Sequence, residues 1–538
     1  MKGAETERAY RRTMLDAICV AVLIAYFLHF AFPALRGGFG EDEMMNMGIY
    51  WRAGALKSLL ANVLFWTTFY RPGGALYYLP LYHFFALDPR PYRIVQISIL
   101  AVSIPMIYYL SRRLGSSRAV AFLAVLVLCY HPQLANLVFA GSFIYDLLCG
   151  FFYFAALTYY VHIREREARL GPLQLLGFLA LYVCALNCKE MAVTLPVIVL
   201  AYELLKCPRW GDWKAFVRWT RSVAAPSLIA GLLTAIYIWG KTHSSGSLIR
   251  YDSYRPKISW HHFMTSNASF VGELLYSQQA VTPKMLLASW TVVFIYAFLR
   301  RDRTLQLMAF WIVIVPLPIA FILPIRGGAS LYLLLFGWAV IFAKVAFDLI
   351  TLISRFLILV GQAVGVDAPS AQAVGVGAPS GAIMQGTTTG RARSAAIGTD
   401  AGAAPSKMSS RIFRVVATLL VASPLAIFTQ WENQRFGTVR ALLNGGQKVS
   451  HVIEALKSLN LQPAPRSTVL LRAKENPFQN KWHALFIASL VWNDRSLQIW
   501  LEGVNQITPQ QMAKVDYIVS LNELQAKVIR SPEIPQSD

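Results

Sequence analysis

Eleven predominantly apolar stretches, each near the length a helix needs to cross a bilayer, mark the first 430 positions of the chain. They lie at 17–35, 92–110, 119–139, 143–161, 172–188, 191–205, 223–240, 285–299, 305–323, 329–350 and 412–429. The pattern predicts an α-helical polytopic membrane protein with about 11 transmembrane helices, residues 1–350 forming its core. The first stretch carries no small-residue cleavage pattern after it and is followed by further spans, so it reads as a retained helix. After 432 the periodicity changes. KVSHVIEALKSL (448–459) has helical spacing, whereas STVLLRA (467–473) and DYIVSL (516–521) read as strands, predicting a small C-terminal α/β domain over 430–538, outside the membrane. No 34-residue period marks a helical repeat array.

Two stretches fall outside the spanning pattern. QAVGVDAPSA is repeated as QAVGVGAPSG over 362–381, and a Gly, Ala, Ser and Thr bias continues to about 410, so 351–411 is expected to be a flexible cytoplasmic linker. The aromatic-rich segment 75–87 is too short to span and is expected to lie in the interface plane.

Composition supports the membrane reading, since 56% of the 538 residues are hydrophobic and the mean hydropathy is +0.46. The net charge of +22 sits in short clusters flanking apolar runs, the pattern of membrane edges and not of a nucleic-acid surface, and no nucleic-acid partner is expected. Eighteen Lys and Arg residues fall in segments 1–12, 112–118, 164–169, 206–221 and 300–303, all on one side if the spans alternate. That asymmetry orients the N-terminus toward the cytoplasm and the C-terminus extracytoplasmically, and it places loops 36–91 and 241–284 outside. The expected location is a bacterial inner (plasma) membrane. All six cysteines lie in or beside apolar segments, and no disulfide framework or zinc spacing is implied, the pair Cys184 and Cys188 included.

Chemistry is therefore sought in the outward loops. GGFGEDEMMNMGIYW (37–51) places Glu41, Asp42 and Glu43 just past the first span. Two readings stand: a solvated acidic turn, or a general base whose pKa is raised by crowding and partial desolvation. FYRPGGALYYLPLYHFF (69–85) carries Arg71, fixed in extended backbone by Pro72, with Tyr70 beside it. A guanidinium fork suits phosphate, and it equally suits an interfacial anchor. Asp146 lies at the outer end of the fourth span and could assist a sugar hydroxyl or make a helix-end contact. Lys189 and Glu190, adjacent at the end of the fifth span, suit either substrate contact or structural pairing. His131 before Pro132 reads as packing or helix termination, and His261 and His262 lack an HExxH context for zinc.

GEDE, then YRPGG, then DPRPYRIVQISILAVSIPMIYYLSRRLG (88–115), HPQLANLVFAGSFIYDLLCGFFYFAAL (131–157) and CKEMAVTLPVIVLAYELL (188–205), in that order, resemble the C-type membrane glycosyltransferase superfamily. Within it, the chain is most similar to the protein O-mannosyltransferase-like group, including the transmembrane part of the tetratricopeptide-containing O-mannosyltransferases. The likeness covers residues 15–340. It implies a membrane glycosyltransferase, a hexosyltransferase that moves a sugar from a polyprenyl-phosphate donor to an acceptor hydroxyl on a protein, lipid or glycan at the outer face. Asp42 matches the catalytic base of the first outward loop, with Glu43 beside it, and Arg71 matches a ligand of the lipid phosphate, with Arg326 as a further position. No cofactor beyond the lipid-linked donor is expected, and a divalent metal is not indicated. The chain departs from the pattern at RGGASLYLLLFGW (326–338), which lacks the proline of a Tyr-Leu-Pro run, and it carries no tetratricopeptide array. The alternative is a polytopic transporter or lipid flippase, against which stand the scarcity of mid-span ionisable residues and the lack of repeated halves.

Overall fold

A computed structural model describes the chain apart from residues 1, 68–70, 168, 207–212, 245–246, 248–251, 253–254, 278–279, 323–327, 364–406, 436, 473–477, 479, 481, 523 and 531–538. Helices dominate. In chain order they are α1 (Lys2–Ala31), α2 (Glu41–Ala53), α3 (Ala55–Val63), α4 (Ala75–Phe85), α5 (Pro89–Arg113), α6 (Arg118–Cys129), α7 (Asn136–Phe139), α8 (Ile144–Arg166), α9 (Pro172–Cys188), α10 (Leu195–Lys206) and α11 (Trp213–Trp219). There follow α12 (Ala225–His243), α13 (Trp260–Leu274), α14 (Pro283–Leu299), α15 (Arg303–Ile314), α16 (Leu317–Ala320), α17 (Tyr332–Ala363), α18 (Lys407–Arg435), α19 (Thr438–Ser458), α20 (His483–Trp492) and α21 (Pro509–Met512).

Among the described residues six helical segments are long and apolar enough to cross a membrane: Thr13–Arg36, Pro89–Arg113, Gly141–Arg166, Arg303–Ala320, Gly328–Ser354 and Ile412–Arg435. A seventh is the broken pair Arg118–Cys129 and Pro132–Phe139, bent by 47°. The break falls where Pro132 removes a backbone donor. His131 beside it is buried, its Nε2 3.2 Å from the Leu274 carbonyl oxygen and its ring stacked on Tyr276. The other four apolar windows fall on α9, on α10 behind a 3-10 turn (Glu190–Thr194), on α12 behind a π-helical segment (Thr220–Ala224), and on α14.

Ion pairs within the bundle gather at its two ends. At one end Asp16 pairs with Arg118 at 2.6 Å, Arg113 with Glu165 at 2.8 Å, Arg164 with Glu203 at 2.7 Å and Arg300 with Asp348 at 3.1 Å, while Lys344 meets Asp302. At the other end Arg93 pairs with Glu43, Lys189 with Asp146 and Arg71 with Glu190. Between these layers the core is almost wholly apolar and aromatic, as at the fully buried Phe154, Trp311 and Phe336, whose rings pack together. Asp146 and Arg164 mark the two layers on α8, and the 18 residue steps from one to the other rise roughly 27 Å, close to a bilayer's hydrocarbon core.

The linker's edges are helical, because α17 runs to Ala363 and α18 starts at Lys407. Residues 364–406, which hold nearly all of the duplication, lie outside the described residues. The C-terminal region has a four-stranded sheet, β1 (Thr468–Arg472), β2 (Gln498–Leu501), β3 (Tyr517–Leu521) and β4 (Ala526–Arg530), in the order β2-β1-β3-β4. β1 is parallel to β2 and β3, and β4 closes the edge antiparallel to β3. The two strands and the helix expected from sequence coincide with β1, β3 and α19. The buried faces of α19, α20 and this sheet join the hydrophobic core of the bundle without interruption.

Candidate functional site

The acidic turn opens α2, and its backbone follows from the glycines before it. A side chain at Gly38 would lie 2.3 Å from the Gly446 carbonyl oxygen, so only glycine lets this loop pass so close to α19. Gly40 then caps α2, and Glu43 Oε2 accepts its backbone N–H at 3.1 Å, the reciprocal half of a capping box. Three carboxylates in the first turn face the positive end of the helix dipole.

Those three side chains go to different places. Glu43 turns inward and is fully buried, held by the Arg93 fork with Nη2 2.9 Å from Oε2 and Nη1 3.3 Å from Oε1. Gly141 N–H adds a contact to Oε2 at 3.3 Å. Arg93, itself buried, also donates to the Gly38 carbonyl oxygen (2.7 Å) and Gln96 Oε1 (3.0 Å), and Gln96 Nε2 donates to the Leu137 carbonyl oxygen (2.6 Å). Glu43, expected beside Asp42 at the catalytic position, has its oxygens sealed from solvent and held by a buried fork, an arrangement that anchors the turn. Asp42 stays outside, with its side chain 65% exposed.

A residue from the far end of the chain meets the exposed pair. His483, the first residue of α20, is buried with Nδ1 3.0 Å from Glu41 Oε2 and Nε2 3.4 Å from Asp42 Oδ1. These are close approaches in which neither ring nitrogen has hydrogen-bond alignment. Trp482 stacks on the imidazole and Phe478 meets its edge. The docking of α20 on this loop is fixed further along by Trp51 Nε1 donating to Asn493 Oδ1 at 2.9 Å and Tyr82 Oη to the Leu490 carbonyl oxygen at 2.7 Å. Met44, Met47, Gly48, Tyr50 and Trp51 form the buried stripe of α2 at helical spacing, so this helix is a packed layer between bundle and C-terminal sheet region.

Arg71 sits in a second cluster. It pairs with both Glu190 oxygens at 3.0 Å and lies over the Tyr145 ring at 5.4 Å. Tyr50 Oη donates to the Arg71 carbonyl oxygen and accepts from Tyr145 Oη, which ties α2 to this cluster. Lys189 turns the opposite way from its neighbour Glu190: its Nζ pairs with Asp146 and donates to Ser330 Oγ at 3.2 Å, all of it buried. Lys189 and Glu190 therefore do not pair with each other, and Asp146 is bound to a lysine in place of standing open. Tyr70 and Arg326 lie outside the described residues. Asp42 is not brought against Arg71, since the eight residues from Asp42 to Tyr50 rise roughly 12 Å along α2.

Sequence reasoning missed Arg93, Gln96 and His483. The only signal for Arg93 was a charge three residues before Gln96 inside an apolar helix, a spacing that puts both on one face. Compared with protein-family models and with curated proteins, the chain matches none.

Proposed function

We propose that this chain is a membrane glycosyltransferase that moves a sugar from a polyprenyl-phosphate carrier to an acceptor hydroxyl at the outer face of a bacterial inner membrane. The observation that carries the reading is the sorting of the acidic turn: Glu43 is locked by Arg93, leaving Asp42 solvent-facing on a rigid helix start. A base so held is pre-positioned, because its neighbour's anchoring fixes the backbone from which it projects. Asp42 takes the acceptor proton as the acceptor oxygen bonds to the anomeric carbon. The bond from that carbon to the lipid-phosphate oxygen breaks, and its electron pair leaves with the phosphate. Arg71, whose fork is paired with Glu190, stabilises that leaving group by exchanging partners or by sharing its fork.

The proposal includes eleven spans, with the N-terminus cytoplasmic and the C-terminal α/β region extracytoplasmic. Its support is that α9, α10 and α12 reach the polar layers marked on α8. Glu203 of α10 meets Arg164 while Lys189, between α9 and α10, meets Asp146, and Lys241 of α12 donates to the Thr67 carbonyl oxygen beside the Arg71 cluster.

The test is transfer by purified protein with a panel of polyprenyl-phosphate sugars and hydroxyl acceptors, comparing wild type with Asp42→Asn and Glu41→Gln. Loss of about 10² to 10⁴ in rate for Asp42→Asn, with folding intact, is expected. Wild-type rates in both variants would overturn the assignment of the base, and lipid movement without glycosyl transfer would favour a flippase.

A further inference from the structure

Away from the acidic turn, a cavity of about 630 Å³ opens at the basic end of the bundle, where the segment after α8 faces α11 and the start of α12. Four cationic side chains line it: Arg169, Lys214, Arg218 and Arg221. The last three recur at i, i+4 and i+7, the spacing that keeps residues on one helical face, and the π-helical segment Thr220–Ala224 carries the third across the junction into α12. Among the described residues no carboxylate lines the cavity. Of the described acids nearby, Glu165 pairs with Arg113 and Glu203 with Arg164, while Glu167 accepts from Gln174 Nε2 at 2.9 Å.

The rest of the lining is apolar, Leu175 and Trp213 among it. Beyond the cavity the outer surfaces of α9 and α12 continue as exposed apolar side chains, with Leu176 62% and Leu232 62% accessible. A cationic pocket at the head of an apolar, lipid-facing surface matches an amphiphile with an anionic head and hydrocarbon tails. A small soluble anion would use the cations and leave the apolar surface unmet.

We propose that this cavity binds the phosphate headgroup of an anionic membrane phospholipid, its acyl chains lying along α9 and α12. The site is independent of the sugar-transfer reading, since its residues lie at the opposite polar layer from Asp42 and Arg71.

The experiment uses full-length protein in detergent, with lipid binding read by native mass spectrometry and thermal shift on titration with phosphatidylglycerol, phosphatidylcholine or inorganic phosphate. Phosphatidylglycerol is expected to bind and raise the melting temperature, with phosphatidylcholine and inorganic phosphate giving no comparable effect. The variant Lys214→Gln/Arg218→Gln/Arg221→Gln should weaken phosphatidylglycerol binding on the order of a hundredfold, three headgroup contacts of roughly fivefold each. The same charge loss in Arg8→Gln/Arg11→Gln/Arg12→Gln should not. Should the triple cavity variant misfold, the wild-type headgroup comparison and the single Arg169→Gln still decide. Equal binding of phosphatidylcholine overturns the proposal, as does retained affinity in the cavity variants. A shift produced by inorganic phosphate alone overturns the lipid as source.

Discussion

Replacing Arg93 by Met tests whether the acidic turn is built on a buried clamp. The guanidinium contacts both Glu43 oxygens, the Gly38 carbonyl oxygen and Gln96 Oε1, and both partners of the ion pair are sealed, with side-chain exposures of 1% and 0%. Removing the cation leaves a buried carboxylate with only the Gly40 and Gly141 N–H groups, and breaking such a pair costs about 3–5 kcal/mol. Adding Glu43→Gln to Arg93→Met should recover part of that loss, because no charge is then left unpaired, whereas Arg93→Lys should recover little, one ammonium being unable to serve four acceptors. The assay is thermal and denaturant unfolding of the purified protein, followed by tryptophan fluorescence and by retention of a monodisperse elution profile. Wild-type stability in Arg93→Met would refute the clamp. So would a Glu43→Gln variant of unchanged stability that has lost transfer, for Glu43 would then be chemical and not structural.

Gly141→Ala should destabilise by about 1–3 kcal/mol, because its Cβ would lie 1.9 Å from Glu43 Oε1, while Gly231→Ala, which meets nothing within 4 Å in α12, should be neutral or stabilising; equal melting temperatures for the two would contradict the packing around Glu43. Burial pushes the Glu273 carboxyl up to about 7 from its usual 4.5, so the folded chain keeps a proton there that the unfolded chain loses, and this contribution to stability declines as pH rises from about 4.5 through 7. Glu273→Gln should accordingly raise the melting temperature at pH 8 and leave it unchanged at pH 5, and an identical difference at both values would remove the burial argument. Reporter fusions at residues 390 and 500 should report opposite faces of the membrane, and an outside signal at 390 would end the eleven-span proposal.

Much of this architecture was legible because it rests on local pattern. The apolar windows coincide with helices throughout, and β1 and β3 are runs of β-branched and apolar residues with clear boundaries. β2 and β4 were not legible. QIWL is four residues long, and AKVIR is an edge strand that mixes exposed and half-buried positions, so neither carries a recognisable alternation. HALFIASLVW, ten residues of which eight are apolar, suits a buried strand or a helix equally and becomes α20 only through its packing on α2 and α19. The candidate site was legible to the level of the turn and no further. Which of Glu41, Asp42 and Glu43 faces inward depends on Arg93, fifty positions away, and on Gly141, whose missing side chain makes room for the carboxylate. His483 reaches the same turn across more than four hundred residues, a distance over which no spacing rule operates.

The mismatch between eleven apolar windows and the smaller set of long continuous helices has a physical origin in how each end of the bundle is made polar. A helix that must cross alone needs about 20 residues, because its own backbone has to carry it from water to water. α9 has 17 residues and stops at Cys188, and the chain then turns through Lys189 and Glu190, which would be costly in hydrocarbon if left unpaired. Each is instead received by a neighbour of opposite charge, Lys189 by Asp146 at the start of α8 and Glu190 by Arg71 in the segment between α3 and α4. The break is thereby enclosed in protein, and its polar backbone is roofed by the loop that carries Arg71, where Gly73 passes so near Cys188 that a side chain would lie 2.6 Å from its sulfur. Substituting Gly73 or either acid should therefore disturb the turn between α9 and α10 before it disturbs any span, because what closes that end of the bundle is this set of pairings and not helix length.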